Sequence, residues 1–274
     1  MNFSSVNDLV SLTQVIENEK DKVLFLQTVG SRLYGMETTS SDYDIKLVTI
    51  PPVEYYMPHL SGHVLGLDYS FYPNSDQYNS VKKHIFMFKR DGGSEQKCEL
   101  FSCDISLQFK MVFEGEYFVL LNTLFANNNS YLYKNSTFSK YEQDIINSIP
   151  SISFTFALQK IARDATEFIR VADHPKLFTR ERLLKRLGQL VFVKNSLIKR
   201  SVTDHNVDYN FYRRPSDDID VEEIKNGCSD VVNEIKNYCG NNVTKNNLEE
   251  YLKYKHVICR MLNELYGQEI FPIP

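Results

Sequence analysis

The chain predicts an α+β fold, with a mixed sheet and flanking helices in its amino-terminal half and helices alone in its carboxy-terminal half. Two β-prone apolar runs, residues 22–28 and 42–50, flank a glycine-containing turn. Further β-prone runs lie on either side of the strong turn signal Asp91-Gly92-Gly93-Ser94. After Pro150 the apolar residues fall instead at i, i+3, i+4 spacing. A 274-residue chain of 42% hydrophobic residues has enough apolar surface for a packed core.

Taken in order, residues 5–19 carry Val6, Leu9, Val10, Leu12, Val15 and Ile16 at helical spacing, with Ser4 or Ser5 as N-cap. This amphipathic helix should lie against the sheet. The first strand follows, then Gly30 where it ends, then the second strand, which Pro51-Pro52 terminates because proline cannot donate to a ladder. Residues 52–56 should start a short helical turn. Strands are expected at 63–71, 83–89 and 97–103, the last two joined as a hairpin through Asp91-Gly92. Asp104 is placed to cap a buried helix carrying Ile105, Leu107, Phe109, Met111, Val112 and Phe113, which Gly115 ends. A second helix spans 116–125. The Asn127-Asn128-Asn129-Ser130 cluster is the clearest break, giving an α+β domain over 1–126 and a helical domain over 127–274. Helices are expected at 154–171, 180–199, 221–238 and 247–266, the third capped by Asp218 or Asp220 and terminated by Gly240.

A net charge of −4 and a pI near 5.9 give no global pull toward nucleic acid, so a polynucleotide partner would need a local basic patch. Arg180, Arg182, Lys185, Arg186, Lys194, Lys199 and Arg200, with Arg213-Arg214 beyond them, offer either such a patch or a solvated helix face. Five scattered cysteines without a paired spacing argue against a disulfide framework or a zinc site and fit a reducing cytoplasm. No apolar run is long enough for a membrane span, and the first residues lack a signal-peptide pattern. Neither membrane insertion nor secretion is expected.

The chemistry concentrates in Gly30-Ser31-Arg32-Leu33-Tyr34-Gly35 and Ser41-Asp42-Tyr43-Asp44. A glycine where a buried strand turns lets backbone N–H groups approach a ligand. Strand alternation sends Asp42 and Asp44 to one face and Tyr43 to the other. Adjacent carboxylates repel unless neutralised, and Mg²⁺ neutralises them while leaving positions for substrate phosphates. The plain alternative is a glycine turn beside a solvated strand end. Arg32 reads either as a phosphate ligand or as a brace for the turn, and Tyr34 as packing.

These residues, Gly30-Ser31-Arg32-x-Tyr34-Gly35 with Ser41-Asp42-Tyr43-Asp44, resemble the signature of the DNA polymerase β-like nucleotidyltransferase superfamily. The resemblance is narrower to the predicted nucleotidyltransferases of bacteria and phages associated with RNA repair. It implies that residues 1–126 form the catalytic domain. It also implies a third carboxylate from a later strand, for which the candidates are Asp68, Glu99 and Asp104. The family pattern places that acid five residues before an Asp that opens a helix. Glu99-Leu100-Phe101-Ser102-Cys103-Asp104-Ile105 matches without a gap, assigning Glu99 to the metal and Asp104 to the cap. Glutamate departs from the usual aspartate. Residues 115–117 and 122 depart from a family Gly-Asn-Pro and glutamate, whereas Ile224-Lys225-Asn226-Gly227 is similar to a family Ile-Arg-x-Gly element. Lys185 matches the lysine of a family helix whose His and Arg are absent here.

The function implied is Mg²⁺-dependent transfer of a nucleotide from a nucleoside triphosphate, expected to be ATP, to an acceptor hydroxyl, with release of pyrophosphate. Mn²⁺ is the expected substitute metal. Asp42, Asp44 and Glu99 would be the catalytic metal ligands, the first two bridging a pair of cations. Gly30, Ser31, Arg32, Ser41 and Lys185 would bind the nucleotide. An RNA 3′ end is the expected acceptor. The alternatives are a protein acceptor, as in a toxin–antitoxin adenylyltransferase, and a nucleotide-binding or interaction module without turnover.

Overall fold

The computed structural model of the chain describes residues 9–34, 37, 41–53, 81–89, 95–174, 179–201, 211–241 and 247–271. Its strands are β1 (Val23–Val29), β2 (Tyr43–Thr49), β3 (Lys82–Lys89), β4 (Glu95–Asp104) and β5 (Tyr131–Lys134). Its helices are α1 (Leu9–Asn18), α2 (Ile105–Phe113), α3 (Tyr117–Leu124), α4 (Ser136–Ser148), α5 (Ser151–Val171), α6 (Arg180–Lys199), α7 (Val221–Asn241) and α8 (Leu248–Tyr266). The fold is α+β, as the hydrophobic patterning predicts.

The strands form one mixed sheet in the order β3-β4-β2-β1-β5. β1 runs antiparallel to β2 and β5, and β3 antiparallel to β4, whereas β2 and β4 are parallel. The expected hairpin is therefore present as β3 and β4, while its turn residues 91–94 fall outside the described residues. The same holds for the strand expected at 63–71, for Asp68, for Ser4 and Ser5, and for the helical turn beyond Val53.

Two compact units divide the chain: Met1–Lys110 with Ala126–Ser148 and Lys253–Pro274, and Met111–Phe125 with Ile149–Leu252. In the first, period-two alternation sorts the sheet into two faces. One face carries Leu26, Ile45, Leu47, Phe86, Cys98 and Leu100, which pack against Leu12 and Ile16 of α1. Each such buried leucine stabilises the unit by about 1.5–3 kcal/mol. The opposite face carries Phe25, Gln27, Asp44, Lys46 and Glu99, by the pairings Phe25↔Val48, Gln27↔Lys46, Val29↔Asp44 and Asp44↔Glu99. Near β5 the Phe25 ring meets Phe138 of α4 and Tyr131 at centroid distances of 5.0 and 5.7 Å. The Tyr266 hydroxyl of α8 donates to the Pro51 carbonyl at 2.7 Å, and that of Tyr254 to the Phe109 carbonyl at 3.1 Å.

Asp104 caps α2 as expected, its Oδ1 accepting from the amides of Ser106 at 2.7 Å and Leu107 at 3.0 Å. Gly115, with φ +66°, closes the turn after α2. In the second unit Asp220 serves as the cap of α7, accepting from the Glu222 amide at 3.0 Å. Gly240 does not end α7, which continues to Asn241. Lys194 is also not part of a basic surface: it is 3% exposed and ion-paired with Glu234. Its position on the helix, read only as charge, gave no sign that it faces inward.

Candidate functional site

β1 ends at Val29, and Gly30 turns the chain with φ +70°, a conformation that side chains oppose. Gly30–Arg32 forms a single helical turn, which the Leu33 amide closes by donating to the Gly30 carbonyl at 3.1 Å. Because Val29 pairs with Asp44, this turn stands against the start of β2. A Cβ on Gly30 would lie 2.4 Å from Asp44 Oδ2, so the backbone approaches the carboxylate more closely than any other residue permits. Ser31 is half-buried within the turn.

Asp44 is the register partner of Glu99 across the parallel β2–β4 pair, which sets the two carboxylates side by side on one face. Asp42 immediately precedes β2. Continuing the register from Tyr43↔Cys98 sets it beside Lys97. The register thus places Asp44 beside Glu99, and Asp42 beside Lys97, on one face of the sheet. Lys97 Nζ lies 3.5 Å from Asp42 Oδ2 and is ion-paired with Glu99 Oε1, while Lys83 Nζ lies 2.6 Å from Glu99 Oε2. The side chain of Asp42 is 46% exposed and that of Glu99 only 13%, so Asp42 is open to solvent and Glu99 is enclosed by its lysines.

The charges respond to this packing. Burial, then the negative charges of Glu99 and Asp42, push the Asp44 carboxyl up to about 6, against the lowering effect of Lys83 and Lys97. Burial would raise Glu99 as well, but hydrogen bonds from Lys83 and Lys97, joined by their charges, hold it below the usual carboxylate range. The hydrogen bond to Glu99, reinforced by the charges of Glu99 and Asp42, raises the Lys97 ammonium above its ordinary value.

Arg32 has a bracing role in the described geometry. Its Nη2 donates to the Ser41 carbonyl at 2.8 Å and its Nε to the Asp42 carbonyl at 3.3 Å, and its guanidinium stacks 3.7 Å above the centre of the Tyr43 ring. Gln96 Nε2 donates to the same Ser41 carbonyl at 2.7 Å. The peptide that carries Asp42 is thereby clamped from the turn after β1 and from β4. Lys185 stands on the exposed face of α6, in the second unit.

Sequence reasoning missed Gln96, Lys97 and Lys83. Lys97 carried a readable signal, since it lies two residues before Glu99 and so shares its face of β4. Gln96 and Lys83 become visible only once strand register is known.

Among the described residues no three His, Cys, Asp or Glu side chains are gathered as a metal site. Two carboxylates suit Mg²⁺, which commonly takes one or two protein oxygens and completes its shell with water and substrate phosphates. Asp42 and Asp44, on one face and with Asp44 in excess negative charge, fit such a cation. Glu99 is different, because both its oxygens already face ammonium groups.

Residues 5–64 match the family model described as the RNA repair pathway DNA polymerase beta family. That span holds Gly30, Ser31, Asp42 and Asp44 and ends before Glu99. No curated protein matches the sequence significantly. Among solved structures, the nucleotidyltransferase-like protein from Exiguobacterium sibiricum 255-15 is similar at 10% identity and a TM-score of 0.29, over 90% of this chain and 78% of that one. The glycine turn and the Asp42–Asp44 pair lie inside the matched span, so the similarity to that family rests on residues 5–64.

Proposed function

We propose that the chain is a nucleotidyltransferase that moves a nucleotide from a Mg²⁺-bound nucleoside triphosphate, ATP in the first instance, to an acceptor hydroxyl with release of pyrophosphate. The observation that carries this reading is the contact of the Gly30 backbone with Asp44, itself in register with Glu99. A bare backbone turn against a carboxylate face is the arrangement needed to hold a triphosphate beside its cation. Asp42 and Asp44 would hold the cation, with Mn²⁺ as a substitute. Such a cation neutralises charge that develops on the phosphates as the α-phosphate is attacked. Gly30 and Ser31 would grip the β- and γ-phosphates, and Glu99 would complete the acceptor side. Ser41, by its clamped carbonyl, and Arg32 would keep Asp42 in place.

The match to an RNA-repair family favours a nucleic-acid acceptor, the 3′ end of RNA. The test is transfer of label from an α-phosphate-labelled triphosphate to RNA ends, with protein acceptors assayed in parallel. Asp42→Asn and Asp44→Asn should each abolish transfer while leaving the melting temperature in EDTA intact or higher. Full activity in either variant would remove the central claim.

A second reading is favoured by the ion pairs at Glu99: a nucleotide-binding module without turnover, its acceptor-side acid neutralised by lysines. A triphosphate-dependent rise in melting temperature with no pyrophosphate release on any acceptor would select it.

A further inference from the structure

The site contains its own cation. Lys97 precedes Glu99 by two residues on β4, so its side chain leaves the same face, and the strand register sets it opposite Asp42. Its Nζ spans the two acids, 3.5 Å from Asp42 Oδ2 and paired with Glu99 Oε1. Lys83 reaches from β3 to the other Glu99 oxygen at 2.6 Å. A second divalent cation on the acceptor side would need a Glu99 oxygen and an Asp42 oxygen. Those are the atoms that Lys97 holds.

We propose that Lys97 is a built-in counter-cation, filling the place between Asp42 and Glu99, so that this site takes a single divalent cation, on Asp42 and Asp44. The inference rests on the nucleotidyl-transfer reading and narrows it, from the pair of cations that the family resemblance implies to one cation and an ammonium. The charges are consistent with this count. Three carboxylates against two ammonium groups leave one negative charge, and among the described residues Asp44 is the acid that Lys83 and Lys97 reach only through their charge, without an ion-pair contact. An ammonium differs from Mg²⁺ in a way that matters here. It carries one positive charge and donates hydrogen bonds, so it can orient Asp42 and Glu99 but cannot bind a substrate oxygen as a Lewis acid. Lys97 is on this view a positioning residue. Lys83 pairs with Glu99 and lies over the Phe101 ring, and among the described residues it does not bridge to Asp42.

The test counts bound Mn²⁺ by electron paramagnetic resonance on the full chain, without nucleotide, and so does not depend on turnover. Wild type should bind one ion, lost in Asp44→Asn. Lys97→Met should bind two, the second about tenfold or more tighter than any second ion in wild type. That second ion should disappear again in Lys97→Met/Glu99→Gln. Lys83→Met should stay at one. Thermal melts give an independent readout: Lys97→Met should melt lower than wild type in EDTA and recover in Mg²⁺, but not in KCl of equal ionic strength. Two ions in wild type, one in Lys97→Met, or two in Lys83→Met would each overturn the proposal, as would a Mg²⁺ effect on melting equal in wild type and Lys97→Met. Failure of the transferase reading would appear separately, as one bound ion and no transfer of label, whereas a wild type that binds none overturns both.

Discussion

Gly30 and Asp44 occupy a single space: a Cβ on the glycine would lie 2.4 Å from Oδ2 of the aspartate and 3.2 Å from its Cβ and Cγ. The glycine is required twice over, by its φ of +70° and by this approach. Gly30→Ala should therefore cost stability, by about 1–3 kcal/mol, from left-handed backbone strain and from displacing the carboxylate. Urea denaturation of wild type, Gly30→Ala, Asp44→Ala and the double variant separates the two causes. In the Asp44→Ala background the glycine substitution should cost less, because only the backbone strain remains. Equal costs in both backgrounds would show that the contact with Asp44 is of no consequence.

Asp44 should destabilise the metal-free protein at neutral pH. Its folded pKa, pushed up to about 6 from 3.8, lies above the unfolded value, so between those values the folded state binds more protons than the unfolded one. Stability then falls as pH rises through that window, and the loss is complete above it. Discounted for the solvent that reaches a partly exposed carboxylate, the effect is about 1–2 kcal/mol. In EDTA, Asp44→Asn should melt higher than wild type at pH 8, with the gain vanishing near pH 4. A gain that is larger at pH 4 than at pH 8 would reverse the assigned sign.

Arg32 tests the difference between a brace and a phosphate ligand. It holds the carbonyls of Ser41 and Asp42 and stacks on Tyr43. Lysine cannot reproduce a planar group that does both. Arg32→Lys should lower stability by about 1 kcal/mol, and a double-mutant cycle with Tyr43→Leu should give a coupling of about 0.5–1 kcal/mol. A rise in the triphosphate KM with unchanged melting temperature would instead assign Arg32 to the substrate.

The sheet's interior was legible because it is written in local patterns. The 22–28 and 42–50 runs became β1 and β2, and the 180–199 periodicity became α6 residue for residue. Asp42 and Asp44 were legible as a pair because alternation alone puts them on one face. Glu99 was reached through the pattern of the resembled family, and the parallel β2–β4 register sets it beside Asp44. β5 and α4 were not foreseen. Tyr131–Lys134 is a four-residue edge strand with an exposed Leu132 and no fully buried residue, too short for a period to show. Ser136–Ser148 buries Phe138, Tyr141 and Ile145 at i, i+3, i+7, so its helical signal was present in the sequence although its composition is largely polar. Lys83 was hidden for a different reason, since an ion pair between β3 and β4 depends on register, which local sequence does not specify.

Asp104 lies five residues beyond Glu99 and separates a structural acid from the charged site. Its Oδ1 accepts two amide hydrogens at the start of α2, and its Oδ2 is buried with no hydrogen-bond partner among the described residues. Burial raises its pKa against the lowering effect of those amides, so here too the folded value lies above the unfolded one and the stability contribution falls as pH rises. Asp104→Ala removes the cap and should cost about 1–2 kcal/mol. Asp104→Asn keeps an oxygen for the two amides and removes the buried charge, so it should melt within a few degrees of wild type at pH 7. Neither substitution should change the number of Mn²⁺ ions bound, because the carboxylate is committed to the helix. Loss of the bound Mn²⁺ in a folded Asp104→Asn protein would move the third acid of the site from Glu99 to Asp104.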